Sequence, residues 1–514
     1  MKTIKLFAAF ALAFQLVNAQ KPGDLDPTFG TNGLAQTEIA PNQAWEADLV
    51  RNVVALSNGK TLAVGFSRLG EERRAAYVCY NADGTLDTSF GNNGILLATP
   101  SNEYYNFGTD AVELPDGTIF SCGYVFSPVS KETWPFLLKI KNGKLDTSFG
   151  SNGFVISNVG KGVPERMALQ ADGKVVLGGY WDDNIAAIRY NTDGSLDNTF
   201  GENGLSITVI EGGEHRSFAK DLALQADGKV VLATYFSDGF VWKWAIVRLN
   251  ADGKLDNSFG EGGISKIVNI GYGHDFVQDI GIMSDGKIIV SGHSWDANVP
   301  TLRYSMAVAR FNTDGTMDNT FGTNGVFRKD FTSEGCSYAT GLAISPNDNI
   351  YVAFSPQESS ATSYDIALFS LDKNGKLNPT FGDGGVATLD INGNDDHSGA
   401  VQLQADGKLI MGVISYTNNG TPFGVARFIT DVTTNNNTTV LSEKSFVAYP
   451  NPVKDVLNIE FDGNFSVQIF DMNGRMVLTG ENSRTIDVKA LAAGNYIIKL
   501  TSGEEAYTDR FVKL

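Results

Sequence analysis

Apolar positions along this chain fall in short runs, roughly four to eight residues long, each closed by a polar turn that carries glycine or asparagine. The run Leu222-Ala-Leu-Gln-Ala ends in Asp227-Gly228-Lys229, the β-rich run Val230–Tyr235 follows, and Trp244–Asn250 comes after a variable loop. No helical period intervenes. Short strands at even spacing mean a sandwich, a barrel or a propeller.

One stretch sets the spacing. Asn191–Gly204 reads Asn-Thr-Asp-Gly-Ser-Leu-Asp-Asn-Thr-Phe-Gly-Glu-Asn-Gly, and close copies centre on Phe29-Gly30, Phe90-Gly91, Phe149-Gly150, Phe259-Gly260, Phe321-Gly322 and Phe381-Gly382. Seven copies recur about sixty residues apart, the signature of a repeat architecture. The Asp-Gly or Asn-Gly step suits a tight hairpin turn. Leu196 and Phe200 lie one helical turn apart, so both point into a core. Asp197 between them accepts from the amides that follow it, as a helix cap does. At Asn378 an Asn takes its place, a swap that a cap tolerates and a metal or catalytic site does not. The motif is therefore read as structural.

Each unit holds four strands. The one ending in the acidic turn (Asn58-Gly59, Asp116-Gly117, Asp172-Gly173, Asp227-Gly228, Asp285-Gly286, Asp406-Gly407) is expected innermost, and the one after Phe-Gly-x-x-Gly outermost. The expected fold is all-β: a seven-bladed β-propeller with four strands per blade, followed by a small immunoglobulin-like β-sandwich. The chain opens on an outermost strand, Leu34–Ile39, and the repeats end on three strands, Val401–Gln404, Leu409–Ser415 and Gly424–Phe428. The first strand is expected to complete the last blade, which leaves no sheet edge open to aggregation.

The Leu-Asp-x-x-Phe-Gly-x-x-Gly units resemble the delta-60 repeats of bacterial secreted proteins over roughly residues 24–430. That resemblance implies a propeller and brings no activity, cofactor or catalytic residue with it.

The two ends read differently. Lys2 and Lys5 precede the apolar run Leu6–Leu16, and Val17-Asn18-Ala19 supplies small residues at a cleavage site. Residues 1–19 are thus expected to be a secretory signal, cut between Ala19 and Gln20. The propeller is expected over 20–429 and a polar linker over 430–444, where Thr-Thr-Asn-Asn-Asn-Thr-Thr occupies 433–439. In 445–514 alternation resumes at Leu457, Ile459 and Phe461, at Val467 and Ile469, and at Tyr496, Ile498 and Leu500. This tail resembles the C-terminal sorting domain of type IX secretion cargo. The resemblance rests on Tyr449, Pro450, Asn451 and Pro452, on Asn458, on Gly474 in a hairpin, on Gly494-Asn495-Tyr496, and on the terminal Phe511-Val512-Lys513-Leu514. It implies passage across the outer membrane by the type IX machinery, with removal of the domain by a sortase-like peptidase and a product released or held at the surface.

Composition narrows the partners. A formal charge of −18 makes nucleic acid or an anionic membrane an unsuitable partner. No apolar run is long enough to span a bilayer. Three cysteines, Cys79, Cys122 and Cys336, are too few and odd in number for a disulfide framework. Cys79 and Cys122 lie in apolar runs and read as packed thiols. A monomer is expected.

Function is expected on the variable-loop face. The aromatics mapped there are Trp45, Tyr104, Tyr105, Trp134, Trp181, Trp242, Trp244, Tyr272 and Trp295, with polar groups Glu71, Glu72, Arg73, Arg74, Asp182, Asp183, Asp395 and Asp396. Aromatic platforms beside carboxylates suit carbohydrate or a protein partner. The alternatives are a structural or adhesive protein whose loop rings pack against each other, and an enzyme that cleaves glycans with Asp182-Asp183 or Asp395-Asp396. No nucleophile elbow, zinc-protease motif or phosphate loop occurs. His215, His274 and His397 sit in unrelated contexts, and no catalytic residue, metal or cofactor is expected.

Overall fold

A computed structural model describes residues 20–40, 48–430 and 446–513, apart from 102, 211–215, 267–269, 271–272, 296–303, 332–336, 358–363, 392, 394, 418–419, 452, 462, 472–475, 482, 492–493 and 503–504. The signal stretch before Gln20, Trp45, His215, Tyr272, Cys336, Pro452 and Gly474 lie outside the described residues. The chain forms two compact units that divide between Thr434 and Asn435.

Every element described is a strand. In the first unit, antiparallel strands follow one another outward in chain order, as in Ser217–Leu224, Val230–Ser237, Trp242–Leu249 and Ile264–Lys266. Seven such four-strand paths occur among the described residues, one of them extended by the two-residue strand Lys144–Leu145. The first strand of each sheet lies against the first strand of the next, and Asp396–Leu403 of the last returns to Asp48–Ala55 of the first. The sheets therefore stand in a closed ring with their first strands innermost. The apolar residues of neighbouring sheets fill the space between them, as Val231, Trp244 and Ile246 do with Val277, Val290 and Ala307.

Closure is as the repeat phase required. Leu34–Thr37 pairs antiparallel with Phe423–Phe428, Leu34 opposite Ala426 and Thr37 opposite Phe423. Residues before the strand join in. Gly23 donates to the Ile429 carbonyl and Ile429 donates back to that of Asp24. Pro22 accepts from the Gly382 amide, the role that Asp252 plays for Gly201 and Asp314 for Gly260. The N-terminal segment thus supplies the turn that a further repeat would have brought.

The repeated motif holds the sheets together at one face. The Asp197 carboxylate accepts from the amide and hydroxyl of Thr199, as expected of a cap. Its other oxygen takes Arg189 Nε at 2.7 Å and Lys174 Nζ at 2.8 Å. The same guanidinium donates to the Ala251 carbonyl in the next repeat and lies 4.7 Å above the Phe200 ring. Arg248 with Asp256 and Phe259, and Arg310 with Asp318 and Phe321, repeat the arrangement. At the closure Arg427 serves Asp26 and Phe29 from 401 residues away. Gly253 is needed for more than its positive φ of 83°, since a Cβ there would stand 2.7 Å from the Gly201 amide. In the sixth sheet Asn378 replaces the acid and Ser370 occupies the arginine's position, so charge and countercharge are absent together. Asn378 still caps Thr380.

The second unit contains the sheet Val447–Tyr449, Val456–Glu460, Thr485–Asp487 and a second sheet of Met476–Glu481, Ser466–Asp471, Gly494–Ser502 and Glu505–Lys513. Val453, Leu457, Ile469, Val488, Ile498 and Leu500 are wholly buried between them.

Removing one member of a buried ion pair costs about 3–5 kcal/mol where the other is left unpaired, and somewhat less at Asp318, which keeps Lys287 Nζ at 2.9 Å. Arg310→Ser is therefore expected to lower the stability of the full chain sharply in chemical denaturation. Arg310→Ser with Asp318→Asn, which brings in the sixth sheet's Ser370 and Asn378 while Lys287 stays where that sheet has Asn349, is expected to recover part of the loss. A double variant no more stable than the single one refutes this account of the motif.

Candidate functional site

The inner strands share an irregularity. Each gains a residue at the same level, between Val50 and Asn52, Gly108 and Asp110, Pro164 and Arg166, Ala219 and Asp221, Val277 and Asp279, Ala339 and Gly341, and Ser398 and Val401. An inserted residue bends the strand and re-aims the side chains beside it. Here it interrupts apolar strands with a polar pair in five sheets: Arg51-Asn52, Thr109-Asp110, Glu165-Arg166, Lys220-Asp221 and Gln278-Asp279. Residues that follow the bulges line a cavity of about 390 Å³ at the ring's centre, with walls from every inner strand. Asn52, Asp110, Arg166, Asp221 and Asp279 make one side polar, while Leu342, Ala343 and Val401 make the other apolar.

The carboxylates on the polar wall serve as crosslinks. Asp110 Oδ2 accepts the Met167 amide of the next sheet at 2.7 Å, and its Oδ1 accepts its own neighbour Ala111 and Asn52 Nδ2. Asp221 Oδ2 reaches Ile280 N at 2.9 Å, and Asp279 Oδ2 reaches Leu342 N at 2.8 Å. The Ile280 amide also donates to Asp279 Oδ1, so the Asp221 and Asp279 carboxyls meet over one N–H. Arg166 Nε lies 3.9 Å from Asp221 Oδ1. In the sixth sheet the equivalent position is Gly341, where a Cβ would stand 2.7 Å from the Val401 amide of the seventh.

Above this ring, toward the variable loops, Glu165 Oε1 pairs with Lys220 Nζ at 2.8 Å. Burial alone would raise the Glu165 carboxyl, but Lys220, Arg51 and Arg166 together hold it below the usual range. Aromatic rings surround the opening. Tyr180 meets Phe218 at 4.9 Å, Phe218 meets Tyr235 at 5.4 Å, Tyr235 meets Phe276 at 5.6 Å, and Phe276 meets His293 at 5.4 Å. The series continues through Tyr338 and Tyr364 to His397, while on the opposite side Phe66 meets Phe107 edge-on and Phe107 stacks on Tyr124. Burial and the nearby Glu165 push Tyr235 up to about 12, so its hydroxyl stays protonated.

The aromatics expected on this face divide into three groups. Trp242 belongs to the belt, 5.3 Å from Tyr235, and Trp295 stacks on His274 at 4.8 Å. Tyr104 stacks on Trp134 at 5.5 Å, and Tyr105 lies 5.0 Å beneath Arg73. With Glu71, Glu72, Arg74 and Asn106, these two tyrosines wall a separate cavity of about 160 Å³. Trp181 and Trp244, in contrast, are 1% and 0% exposed. Both lie within strands and pack between sheets, so their rings belong to the core and not to the face. Gly162 is bare because a Cβ would press on the Trp181 ring.

The paired aspartates have local tasks. Asp182 and Asp183 take φ of 45° and 63° in the turn between Trp181 and Asn184. Asp396 is buried and accepts the Ile391 amide at 2.6 Å, whereas Asp395 is exposed and accepts that of Tyr364. Cys79 and Cys122 are buried free thiols, and burial raises Cys79 to about 12. In the second unit Asn451 Oδ1 accepts the Val512 amide, Gly494 is opposite Lys513, and Tyr496 stacks on Phe511. Tyr449 is exposed and pairs with Asn458, and Pro450 follows it through a cis bond.

The polar pairs at the bulges went unread in the sequence, although the signal is there: two adjacent polar residues at one fixed offset before each acidic turn, in five of the repeats.

Among known proteins, residues 447–514 match the family described as a secretion system C-terminal sorting domain. Residues 56–90, 170–200, 225–259 and 284–321 match that described as a domain of unknown function (DUF5122) beta-propeller. No curated protein matches the chain. Similar solved structures include YCF48 bound to D1 peptide, at 10% identity and TM-score 0.43, covering 80% of this chain and 100% of that one. Drosophila Semaphorin 1b, extracellular domains 1–2, is 8% identical with TM-score 0.41, covering 77% and 87%. The GH93 alpha-L-arabinofuranosidase of Fusarium graminearum with arabinobiose is 11% identical with TM-score 0.40, covering 64% and 95%.

Burial outweighs the Arg166 charge and the amides of Met167 and Ala111, so Asp110 rises to about 6, and burial does the same at Asp396. Each takes up its proton earlier folded than unfolded, so its contribution is full below about pH 4 and is lost as pH rises through about 6. Asp26 runs the other way. Burial would raise it, but Lys408, Thr28 and Arg427 bring it to about 2. Its contribution is present above about pH 4 and is lost as pH falls toward 2. His293 opposes Asp110 and Asp396, since burial lowers it to about 4 and its contribution is lost as pH falls from about 6.5. The full chain is expected to lose melting temperature relative to Asp110→Asn as pH rises from about 4 to 6, and a difference that stays constant over that range contradicts the Asp110 assignment.

Proposed function

We propose that this chain, a β-propeller with a type IX sorting tail behind it, is a secreted or cell-surface binding protein that takes a saccharide at the variable-loop mouth of its central channel. The reading counts seven blades, closed by the N-terminal strand, and takes the second unit as an immunoglobulin-like sandwich. The N-terminal signal carries the chain across the inner membrane. The type IX machinery then receives the sorting tail, and a sortase-like peptidase removes it.

The observation that carries the binding reading is the belt from Tyr180 to His397 around the Glu165–Lys220 pair. Pyranose rings lay their C–H faces on aromatic planes, and charged groups recessed among those planes fix the hydroxyls. Proteins use such mostly apolar concavities with a few placed polar groups for small-molecule recognition.

Binding fits better than catalysis. Asp110, Asp221 and Asp279 already spend their oxygens on amides that join neighbouring sheets. Asp110 accepts three N–H bonds and Asp221 and Asp279 two each, which leaves them little freedom to act as nucleophile or base.

On a glycan array the full chain is expected to bind saturably, and Phe218→Ala and Tyr235→Ala are each expected to weaken retention by about tenfold or more. Circular dichroism melts would establish that both variants fold. Retention unchanged in folded variants, or an array without any bound glycan, refutes the reading. Deleting 447–514 is expected to leave the protein in the periplasm, and surface delivery of the truncated chain would sink the export assignment.

A further inference from the structure

Two cations share one carboxylate where the channel opens. Glu165 pairs with Lys220 Nζ at 2.8 Å and has the Arg51 charge beside it, while Arg166 stands lower, against Asp221. Arg73 lies farther out, over Tyr105 and Phe107, with Glu71 and Glu72 around the same cavity. The chain as a whole carries −18. A positive opening is thus set against the charge of the rest of the molecule.

The negative groups nearby are accounted for. Asp110, Asp221 and Asp279 lie below the opening and are bonded to backbone amides. Arg166 stands beside them, and Asp221 and Asp279 meet over the Ile280 N–H. Asp48 and Asp396 are buried and accept the amides of Ile39 and Ile391. Asp182, Asp183 and Asp395 are exposed in the variable loops. None of these forms an ion pair with Arg51 or Lys220 among the described residues, and Arg51 is exposed, 5.9 Å from the Phe66 ring centre. An ammonium has three donors and a guanidinium five. Lys220 gives one of its own to Glu165.

We infer that the saccharide taken at the channel mouth is acidic, with a uronate carboxylate held by Arg51 and Lys220 while its ring lies on Tyr180, Phe218 and Tyr235. This rests on the saccharide reading and adds the charge of the ligand. A carboxylate between a guanidinium and an ammonium forms charge-assisted bonds, stronger than those a neutral hydroxyl makes. The ion pair between Glu165 and Lys220 keeps the lysine fixed at the wall, so the site is built before the ligand arrives.

Methyl esterification removes the charge and leaves the ring, which makes the test direct. Calorimetric titration of the full chain would use tetragalacturonic acid, its methyl ester and cellotetraose. The acid is expected to bind at least about tenfold more tightly than the ester, with the difference shrinking as salt is raised. Arg51→Ala and Lys220→Met should each remove most of that difference. Lys220→Arg, which keeps the charge beside Glu165, should retain it, and this separates loss of the cation from loss of the fold. Equal affinity for acid and ester overturns this inference and leaves the saccharide reading standing. Failure to bind any of the three also overturns it, while the broader reading falls to an array without any bound glycan or to unchanged retention in folded Phe218→Ala and Tyr235→Ala.

Discussion

Every sheet in the ring depends on its neighbour for hydrogen bonds that it cannot make itself. At one face an arginine reaches from its own sheet to the carbonyl of the next repeat, as Arg189 does to Ala251 and Arg248 to Thr313. At the channel a carboxylate reaches to the amide of the next inner strand, as Asp221 does to Ile280. Buried polar groups left unpaired are costly, so one sheet removed would leave two neighbours with unsatisfied groups. The rigid scaffold follows from that mutual need, and some variable-loop residues add to it, as Asp183 does by accepting the Ser217 amide and Asp395 that of Tyr364.

Much of this was legible in the residues. The turn glycines, the capping aspartates and the return of Leu34–Thr37 to Phe423–Phe428 all follow from a repeat whose phase is plain. Local chemistry fixes those positions, and local chemistry is what a sequence displays. The arginine network was less visible, because Arg189 and Asp197 are eight residues apart and meet only when the third strand and the motif fold back on each other.

The site is less legible. Proximity to a variable loop misplaces Trp181 and Trp244, whose rings turn inward because strand alternation governs their direction. The polar residues at the opening stand at the bulges. Arg51, Glu165 and Lys220 lie in three different sheets, and only the ring brings them to one opening. A residue's neighbours across a ring depend on how many sheets stand between them, which no window of sequence reports.

The N-terminal strand has a further meaning for the order of biosynthesis. Ribosomes deliver Leu34–Thr37 before the other strands of this unit, while the strand that receives it, Phe423–Phe428, comes last in it. Throughout translation the nascent chain therefore holds a β segment without its mate. Completion of the ring is thus a late and long-range event, since a polypeptide stopped short of Phe423 lacks the partner that Leu34–Thr37 pairs with.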